Sequence, residues 1–252
     1  MKNSFFLFIF IFCFSNFCIK AQPIGKLTYR LTKNDEKFGK RVQDEVLYIK
    51  GKSSIEFPVK KRLEDLNSPD ENKGYVILEN KKADFIYKNF SNKSLYFRGL
   101  IGRTAYLTTD TLLNFDWKIT KERSKILNYN CIKAITRFRG RNYIAWYTED
   151  IALQNGPWKF CGLPGLIIKV TDDKEMFLYQ LTSINFKIKF DEKIVSIPEA
   201  YAKSKMITYH EYMTRYKKKV NDLDRLSKVI RTGKDGSYGT VSVIQSEEME
   251  KF

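Results

Sequence analysis

The chain has 252 residues, of which 43% are hydrophobic and 15% aromatic, and 45 Lys and Arg against 29 Asp and Glu give a formal net charge of +16. This apolar fraction excludes an intrinsically disordered chain, and the sequence has no Gly-X-Y period, which excludes collagen. The length is sufficient for one all-β domain with its own core. Composition by itself assigns no biochemical activity.

Residues 1–21 have the three parts of a secretory signal peptide. Lys2 provides a basic start, residues 5–14 are uniformly apolar, and Ala21 is a small residue suited to a cleavage site. Ten residues rise only about 15 Å as a helix, half of a bilayer core, so this segment does not predict a conventional transmembrane helix. We expect export with cleavage after Ala21; a retained amphiphilic anchor is the alternative.

Two of the four cysteines lie beyond the predicted cleavage site. Removal of residues 1–21 takes away Cys13 and Cys18, and lowers the formal charge from +16 to +14 because Lys2 and Lys20 are lost. An oxidising compartment and one remaining pair predict a disulfide, which would add roughly 3–4 kcal/mol in the chain-entropy model. The alternative is two separate buried thiols. Both the disulfide prediction and its alternative concern Cys131 and Cys161, the two cysteines that remain after cleavage.

Short β-prone segments separated by turn residues follow the leader. Residues 26–31 alternate polar and apolar side chains, and residues 46–49 and 54–57 flank Gly51-Lys52 as the strands of a hairpin would. Residues 61–74 predict a solvated loop. Further strand-like segments recur at spacings near ten residues, at 75–78, 85–87, 95–97 and 104–108. This spacing predicts an antiparallel meander.

A second hairpin is predicted in the middle of the chain. Residues 126–138 and 143–148 are β-prone and are separated by Arg139-Gly140-Arg141-Asn142. Large side chains on both faces of residues 143–148 place this hairpin inside the sheet. Strands at 167–170 and 177–181 follow.

Only the C-terminal part predicts a helix. Residues 208–211 have the S/T-x-x-E form of a capping box, and apolar residues then recur at three- and four-residue steps as far as Ile230. Gly233 is a suitable helix stop. We expect residues 22–231 to form a single β-rich domain and residues 232–252 a loose tail.

A proline-glycine pair lies directly before the apolar strand at 166–170. Leu163-Pro164-Gly165-Leu166 places Pro and Gly at the central positions of a type II turn, in which Gly165 would take a positive φ. The residues alone predict a stiff turn entering a core strand.

The hexapeptide Gly162-Leu163-Pro164-Gly165-Leu166-Ile167 resembles the signature of the GLPGLI family, exported proteins of Gram-negative bacteria without a characterised activity. Ile151-Ala152 departs from the Ile-Pro common in that family. The resemblance implies export to the periplasm or outer membrane and a β architecture, but no reaction. Further segments similar to the family pattern are 117–119, 130–134, 140–141, 145–148 and 156–158.

A weaker likeness to LolA-type periplasmic carriers concerns the fold alone. It implies a mainly β protein with a single curved, half-barrel-like antiparallel sheet. One C-terminal amphipathic helix would pack on this sheet and leave an apolar hollow.

No catalytic or metal-binding arrangement is visible in the sequence. His210 is the one histidine and lies inside the capping box, and neither a G-x-S-x-G elbow nor a C-x-x-C spacing occurs. The adjacent carboxylates Glu149-Asp150 and Asp172-Asp173 predict solvated turns. We therefore predict no catalytic residue, no metal and no cofactor.

Aromatic and basic residues around the hexapeptide are candidate contacts for a ligand or partner. Residues 116–143 hold eight basic against two acidic side chains, and Lys217-Lys218-Lys219 adds a second cluster. For an exported chain, anionic lipids or acidic glycans are more accessible partners than nucleic acid; an ordinary Lys-rich surface is the alternative. The candidates are Trp146, Tyr147, Trp158, Lys159, Phe160, Arg137 and Arg141.

The sequence thus favours non-catalytic binding of an apolar or anionic ligand in the cell envelope. A protein-interaction module that assists outer-membrane transport is the alternative. A hydrolase-type enzyme whose site is not visible in the sequence is the third hypothesis. The oligomeric state is not predicted.

Overall fold

The computed structural model describes residues 23–36, 39–59, 84–112, 115–201, 203–227, 231–232 and 238–239. In these ranges one antiparallel sheet dominates the fold, and helix α1 (Tyr209–Ser227) follows it. The strands are β1 Ile24–Asp35, β2 Gly39–Lys50, β3 Ser53–Pro58, β4 Ile86–Asn89, β5 Ser94–Ile101, β6 Thr104–Thr111, β7 Lys118–Ile126, β8 Tyr129–Phe138, β9 Arg141–Thr148, β10 Leu166–Asp172, β11 Phe177–Asn185 and β12 Met206–Thr208.

The strand order is β12-β6-β5-β4-β3-β2-β1-β11-β10-β9-β8-β7. Every described pair is antiparallel except β12–β6, which is parallel. The prediction of a mainly β, curled and open antiparallel sheet with one C-terminal helix is confirmed. The predicted loop at 61–74 and strand at 75–78 lie outside the described residues.

Two-residue turns join the central hairpins. Leu127-Asn128, with φ of 49° and 68°, connects β7 to β8, and Arg139-Gly140, with φ of 42° and 76°, connects β8 to β9. Positive φ at both positions is typical of the type I′ turn, whose twist matches that of the flanking strands. The predicted four-residue connection is therefore too long, because Arg141 pairs with Phe138 within the ladder. The predicted strand at 126–138 also starts too early, and β7 was missed.

The predicted type II turn at the hexapeptide is wrong. The positive φ, 90°, belongs to Gly162, and Gly165 is not among the positive-φ residues. Glycine is required at 165 for space, since a Cβ there would lie 2.0 Å from the carbonyl oxygen of Thr148. Gly165 of the hexapeptide therefore allows the backbone before β10 to pass close to Thr148, the last residue of β9.

Around β1 and β2, both faces of the sheet are covered. Leu27, Tyr29 and Leu31 point to one face, which also receives residues 149–165; we call this the loop-covered face. Val46 and Tyr48 point to the opposite face, where they pack with apolar residues of segment 190–201. The hollow expected from the sequence is thus largely filled by the chain itself.

The predicted disulfide is not present. Cys131 and Cys161 are separate buried thiols. Cys131 belongs to the main core cluster, whereas Cys161 packs with Leu95 and Leu112 in a different cluster. Because the two side chains pack in different clusters, they do not form a disulfide. The structure agrees with the alternative hypothesis of two separate buried thiols.

Helix α1 begins at the predicted capping box. The backbone N–H of Glu211 donates to Oγ1 of Thr208 at 3.2 Å, and α1 packs against β5, β6 and β12. Among the described helices, none is long and apolar enough to span a membrane. The predicted helix stop at Gly233 lies outside the described residues. Within the predicted tail, Tyr238–Gly239 pairs with Arg231–Thr232.

Candidate functional site

The buried ammonium group of Lys88 fastens the 149–165 loop to the sheet. Its Nζ donates to Oδ1 of Asn155 at 3.0 Å, to the carbonyl oxygen of Gly156 at 2.6 Å and to that of Phe160 at 3.3 Å. Burial lowers the pKa of Lys88, and the neighbouring Cys161 and Glu56 oppose that shift. One side chain of β4 therefore supports three positions of the loop.

Glu56 of β3 holds the tip of the same loop. The backbone N–H of Trp158 donates to both carboxylate oxygens, at 2.8 and 3.0 Å. Trp158 has a φ of 50°, a conformation that non-glycine residues rarely adopt. Burial raises the pKa of Glu56 to about 7, while Lys88 and the Trp158 N–H act in the opposite direction. Glu56 is thus committed to positioning Trp158.

A cavity of about 520 Å³ lies between the loop-covered face, the loop tip and α1. Leu31 and Leu100 contribute aliphatic surface, and Met213 comes from the helix. Seven aromatic residues supply much of the remaining wall: Phe85, Phe97, Trp158, Tyr179, Tyr209, Tyr212 and Tyr216.

Glu45 of β2 also lines this cavity and is only 9% exposed. Its neighbour across the β1–β2 ladder is Tyr29, and the β2–β3 register pairs Glu45 with Pro58 and Leu47 with Glu56. Glu45 and Glu56 are therefore diagonal neighbours on one face. Burial raises the pKa of Glu45 to about 9, and Glu56 adds to the effect. Among the described residues, none donates a hydrogen bond to its carboxyl or forms an ion pair with it.

Two cations that line the cavity, Arg98 and Lys159, are bound to acidic partners. Asp110 forms ion pairs with Arg139 at 2.9 Å and with Lys159 at 3.5 Å, and Arg98 is paired with Asp84. Burial by itself would raise the pKa of Asp110, but the Arg139 hydrogen bond and the Lys159 charge bring it below its ordinary value.

The structure places two of the sequence-predicted contact residues at the cavity. These are Trp158 and Lys159; the Lys159 ammonium lies 4.6 Å from the ring centres of both Phe97 and Tyr209. Both are brought there by the 149–165 loop.

The other candidates do not line the cavity. Tyr147 and Phe160 are buried in the main core, and Arg141 forms a buried ion pair with Asp172 at 2.9 Å. Arg137 is exposed, and Trp146 is half-buried on the strand face opposite to Tyr147. Sequence reasoning missed Glu45, Glu56, Lys88 and the tyrosines of α1.

The hexapeptide is mostly interior. Leu163, Leu166 and Ile167 are at most 1% exposed, while Gly162 and Pro164 face solvent. The carbonyl oxygen of Ile167 accepts a hydrogen bond from the Tyr29 hydroxyl at 2.8 Å. This hydrogen bond connects the hexapeptide, at the start of β10, to β1. None of the hexapeptide residues lines the cavity.

The fold and site together define a β-sheet protein with a cavity bounded by its own loop and helix. A family model described as a protein of unknown function (Porph_ging) matches residues 138–169, which include the hexapeptide. This match is compatible with the resemblance to the GLPGLI family. No curated protein matches the chain.

Two structures of PNGF-II, in C2 and P21 space groups, are similar in fold, each with a TM-score of 0.51. Identities are 17% and 16%, and the matches cover 78% of this chain but 33% and 34% of those chains. The chain therefore spans about a third of their length. A LolA superfamily protein, NE2245 from Nitrosomonas europaea, matches weakly, with a TM-score of 0.31, 10% identity, and coverage of 70% of this chain and 91% of that one.

Proposed function

We propose that this chain is an exported, non-catalytic ligand-binding protein of a Gram-negative cell envelope. The cavity between the loop-covered face and α1 is the observation that supports this function. Its volume of about 520 Å³ suits a small organic molecule. The aromatic wall favours a ligand with an apolar body, whereas the carboxyl groups of Glu45 and Glu56 disfavour an anionic one inside the cavity.

Binding is favoured over hydrolysis because most of the carboxyl groups at the cavity already have hydrogen-bond or ion-pair partners within the protein. Hydrolysis by an acid-base pair requires two groups that both reach the substrate. Both oxygens of Glu56 accept the Trp158 N–H, and Asp84 is paired with Arg98. Of the described acidic residues that line the cavity, Glu45 is the one not engaged in this way, and a single such carboxyl is better suited to recognition than to hydrolysis.

The test is a titration with phenylbutanol, a neutral probe with an apolar ring. We expect saturable one-to-one binding, seen as shifts of tyrosine and tryptophan NMR signals. Leu31→Trp would fill part of the cavity and weaken binding at least tenfold. Ile119→Trp, at a 52% exposed position on β7, is the matched control. No saturable binding to the folded wild-type protein, or equal binding by both variants, would contradict the proposal.

Export is tested separately. Mass spectrometry of the protein from a periplasmic or outer-membrane fraction should give a mature N-terminus at Gln22. Recovery of a chain that retains residues 1–21 in the cytoplasm contradicts this part of the proposal.

The exposed face of β7 favours a second function, an interaction with an anionic partner. Lys118, Lys121, Arg123 and Lys125 are all exposed on this edge strand. Such charges also discourage pairing between sheet edges, which is their ordinary structural role. An anionic lipid surface, an acidic glycan or an acidic patch on an outer-membrane transport protein would complement them.

Vesicles with and without phosphatidylglycerol distinguish these roles. Salt-sensitive binding to the anionic vesicles, reduced by Lys121→Glu together with Lys125→Glu, supports the lipid partner. Equal binding to both vesicle types contradicts an electrostatic interaction.

A further inference from the structure

We propose that the ligand of the cavity is an uncharged molecule that presents a hydrogen-bond acceptor, such as a ketone or amide oxygen, to the carboxyl O–H of Glu45. The protein is the donor in this contact, and the apolar body of the ligand lies against the remaining wall. This inference rests on the proposed binding function and specifies its ligand class.

The first support is the position of the Glu45 carboxyl. It lines the cavity, is about nine-tenths buried, and has no hydrogen-bond or ion-pair partner among the described residues. A buried carboxyl without a bound cation is less costly when it keeps its proton, and its O–H then needs an acceptor. A ligand that enters the cavity supplies this acceptor.

The second support is the contrast with Glu56, the diagonal neighbour of Glu45 on the same sheet face. The Trp158 N–H donates to both oxygens of Glu56, and this contact and the Lys88 charge both lower the Glu56 pKa. They therefore stabilise the charged form of Glu56, and that charge opposes a second one on Glu45. The pair is thus divided into an acceptor that holds the loop and a donor that lines the cavity.

The third support is the charge close to Glu45. Burial raises its pKa to about 9, and three acids act in the same direction: Glu56 of β3, Asp84 before β4 and Asp44 of β2. Lys33 of β1 acts in the opposite direction and offsets them only in part. Because most of the nearby charge is negative, Glu45 keeps its proton at neutral pH.

The other titratable groups around Glu45 do not reverse this balance. Across the ladder, the Tyr29 hydroxyl donates to the carbonyl oxygen of Ile167, and Arg98 of β5 and Lys159 of the loop form ion pairs with other acids. The remaining titratable side chains that line the cavity are tyrosines of β11 and α1: Tyr179, Tyr209, Tyr212 and Tyr216. Of these described groups, none pairs with Glu45 as a cation.

A neutral acceptor suits this site better than an ion does. An ammonium group donates hydrogen bonds and accepts none, so it would pair with Glu45 only after the buried carboxyl lost its proton. A carboxylate would meet the charge of Glu56. A ketone or amide oxygen accepts the Glu45 O–H with no change of charge, and the aliphatic side chains of Leu31, Leu100 and Met213 provide apolar surface for the rest of the ligand.

The experiment compares benzylacetone, which has one ketone oxygen, with butylbenzene, which has no polar group. Glu45→Met removes the donor, so at pH 7 it should weaken benzylacetone binding at least tenfold and leave butylbenzene binding within about twofold. Glu45→Gln keeps an N–H donor and should retain benzylacetone binding within about threefold. Glu36→Met and Glu36→Gln, at an exposed position beyond β1, are the matched controls.

A pH titration of the wild-type protein tests the same point without a variant. The carboxyl loses its proton as pH rises through about 9, so benzylacetone affinity should fall about fourfold from pH 7 to pH 9.5. Butylbenzene affinity for the wild-type protein, and benzylacetone affinity for Glu45→Gln, should not change over this range.

Three results would contradict the inference and leave the binding function in place. These are equal benzylacetone binding by the wild-type protein and Glu45→Met, a benzylacetone affinity that does not fall with pH, and tighter binding of phenylbutylammonium than of benzylacetone at pH 7. If none of the probes binds the folded protein, both the inference and the binding function are overturned.

Discussion

The ammonium group of Lys88 donates a hydrogen bond of 2.6 Å to the carbonyl oxygen of Gly156, 68 residues further along the chain. Through this contact and its companions at Asn155 and Phe160, β4 holds the loop that closes the cavity. The position of Trp158 therefore depends on side chains that are distant in sequence.

Lys88→Met should destabilise the fold by about 3–5 kcal/mol, because it removes the cation from a buried network and leaves its acceptors without a donor. Urea denaturation followed by circular dichroism measures this loss. Lys40→Met, at an exposed position on β2, should change stability by less than about 0.5 kcal/mol. Equal effects of the two variants would show that the network does not stabilise the fold.

Glu45→Gln should stabilise the ligand-free protein at pH 8. The pKa of Glu45 rises from 4.5 to about 9 on folding, so between these values the native state binds more protons than the unfolded state. The contribution of Glu45 to stability is fully present below pH 4.5 and is lost as pH rises toward 9. The amide has no such dependence, and we expect a gain of at least about 1 kcal/mol.

Unfolding free energies of both proteins at pH 5 and pH 8 measure this difference. The gain should be small at pH 5, and Glu36→Gln should show no gain at either pH. A wild-type protein that gains stability relative to Glu45→Gln as pH rises would contradict the assignment of Glu45 as a buried acid.

Gly165→Ala should be severely destabilising, by about 3 kcal/mol or more, because its Cβ would lie 2.0 Å from the backbone oxygen of Thr148. Gly25→Ala is the matched control. There the two nearest atoms, at 2.5 and 2.9 Å, belong to the ring of Phe186, which is 43% exposed and able to move. Thermal denaturation compares the two, and a Gly165→Ala protein as stable as Gly25→Ala would be inconsistent with the close approach.

Asp172→Ala should cost about 3–5 kcal/mol, since it leaves the Arg141 charge buried without its partner and also removes the acceptor for the backbone N–H of Phe177. The adjacent Asp173→Ala is the control, because its contact with the Asn142 side chain is exposed. We expect it to cost less than about 1 kcal/mol in guanidinium denaturation. A small loss for Asp172→Ala would mean that the ion pair contributes little.

Much of the fold was predictable because it depends on local patterns. The alternation in residues 26–31 and the Gly51-Lys52 turn specified β1, β2 and β3, and the capping box at Thr208 specified the start of α1. Strand β7 was missed because it lies at the sheet edge with mostly exposed polar residues, which gives no apolar alternation. The turn at Gly165 was misassigned because a Pro-Gly pair looks the same in the sequence whether glycine is needed for a positive φ or because a Cβ atom would not fit.

The site was less predictable, although one signal was present. With a two-residue turn at Gly51-Lys52, the register places Glu45 and Glu56 on the same face as Leu47. Two acidic residues on an otherwise apolar strand face indicate buried carboxyl groups, which are costly and therefore mark a candidate functional site. Tyr212 and Met213 of α1 were recognised only as apolar helix positions, since nothing local shows which strands they face.

The sequence by itself determined the β-rich architecture, the Gly51-Lys52 hairpin and the late helix, because hydrophobic periodicity and turn chemistry act between residues close in the chain. Only the tertiary structure decided that the 149–165 loop enters the sheet face, that Cys131 and Cys161 pack apart, and that Glu45 meets a wall of rings from α1. These arrangements depend on which distant surfaces bury each other, and that choice is made by packing and desolvation of the whole chain.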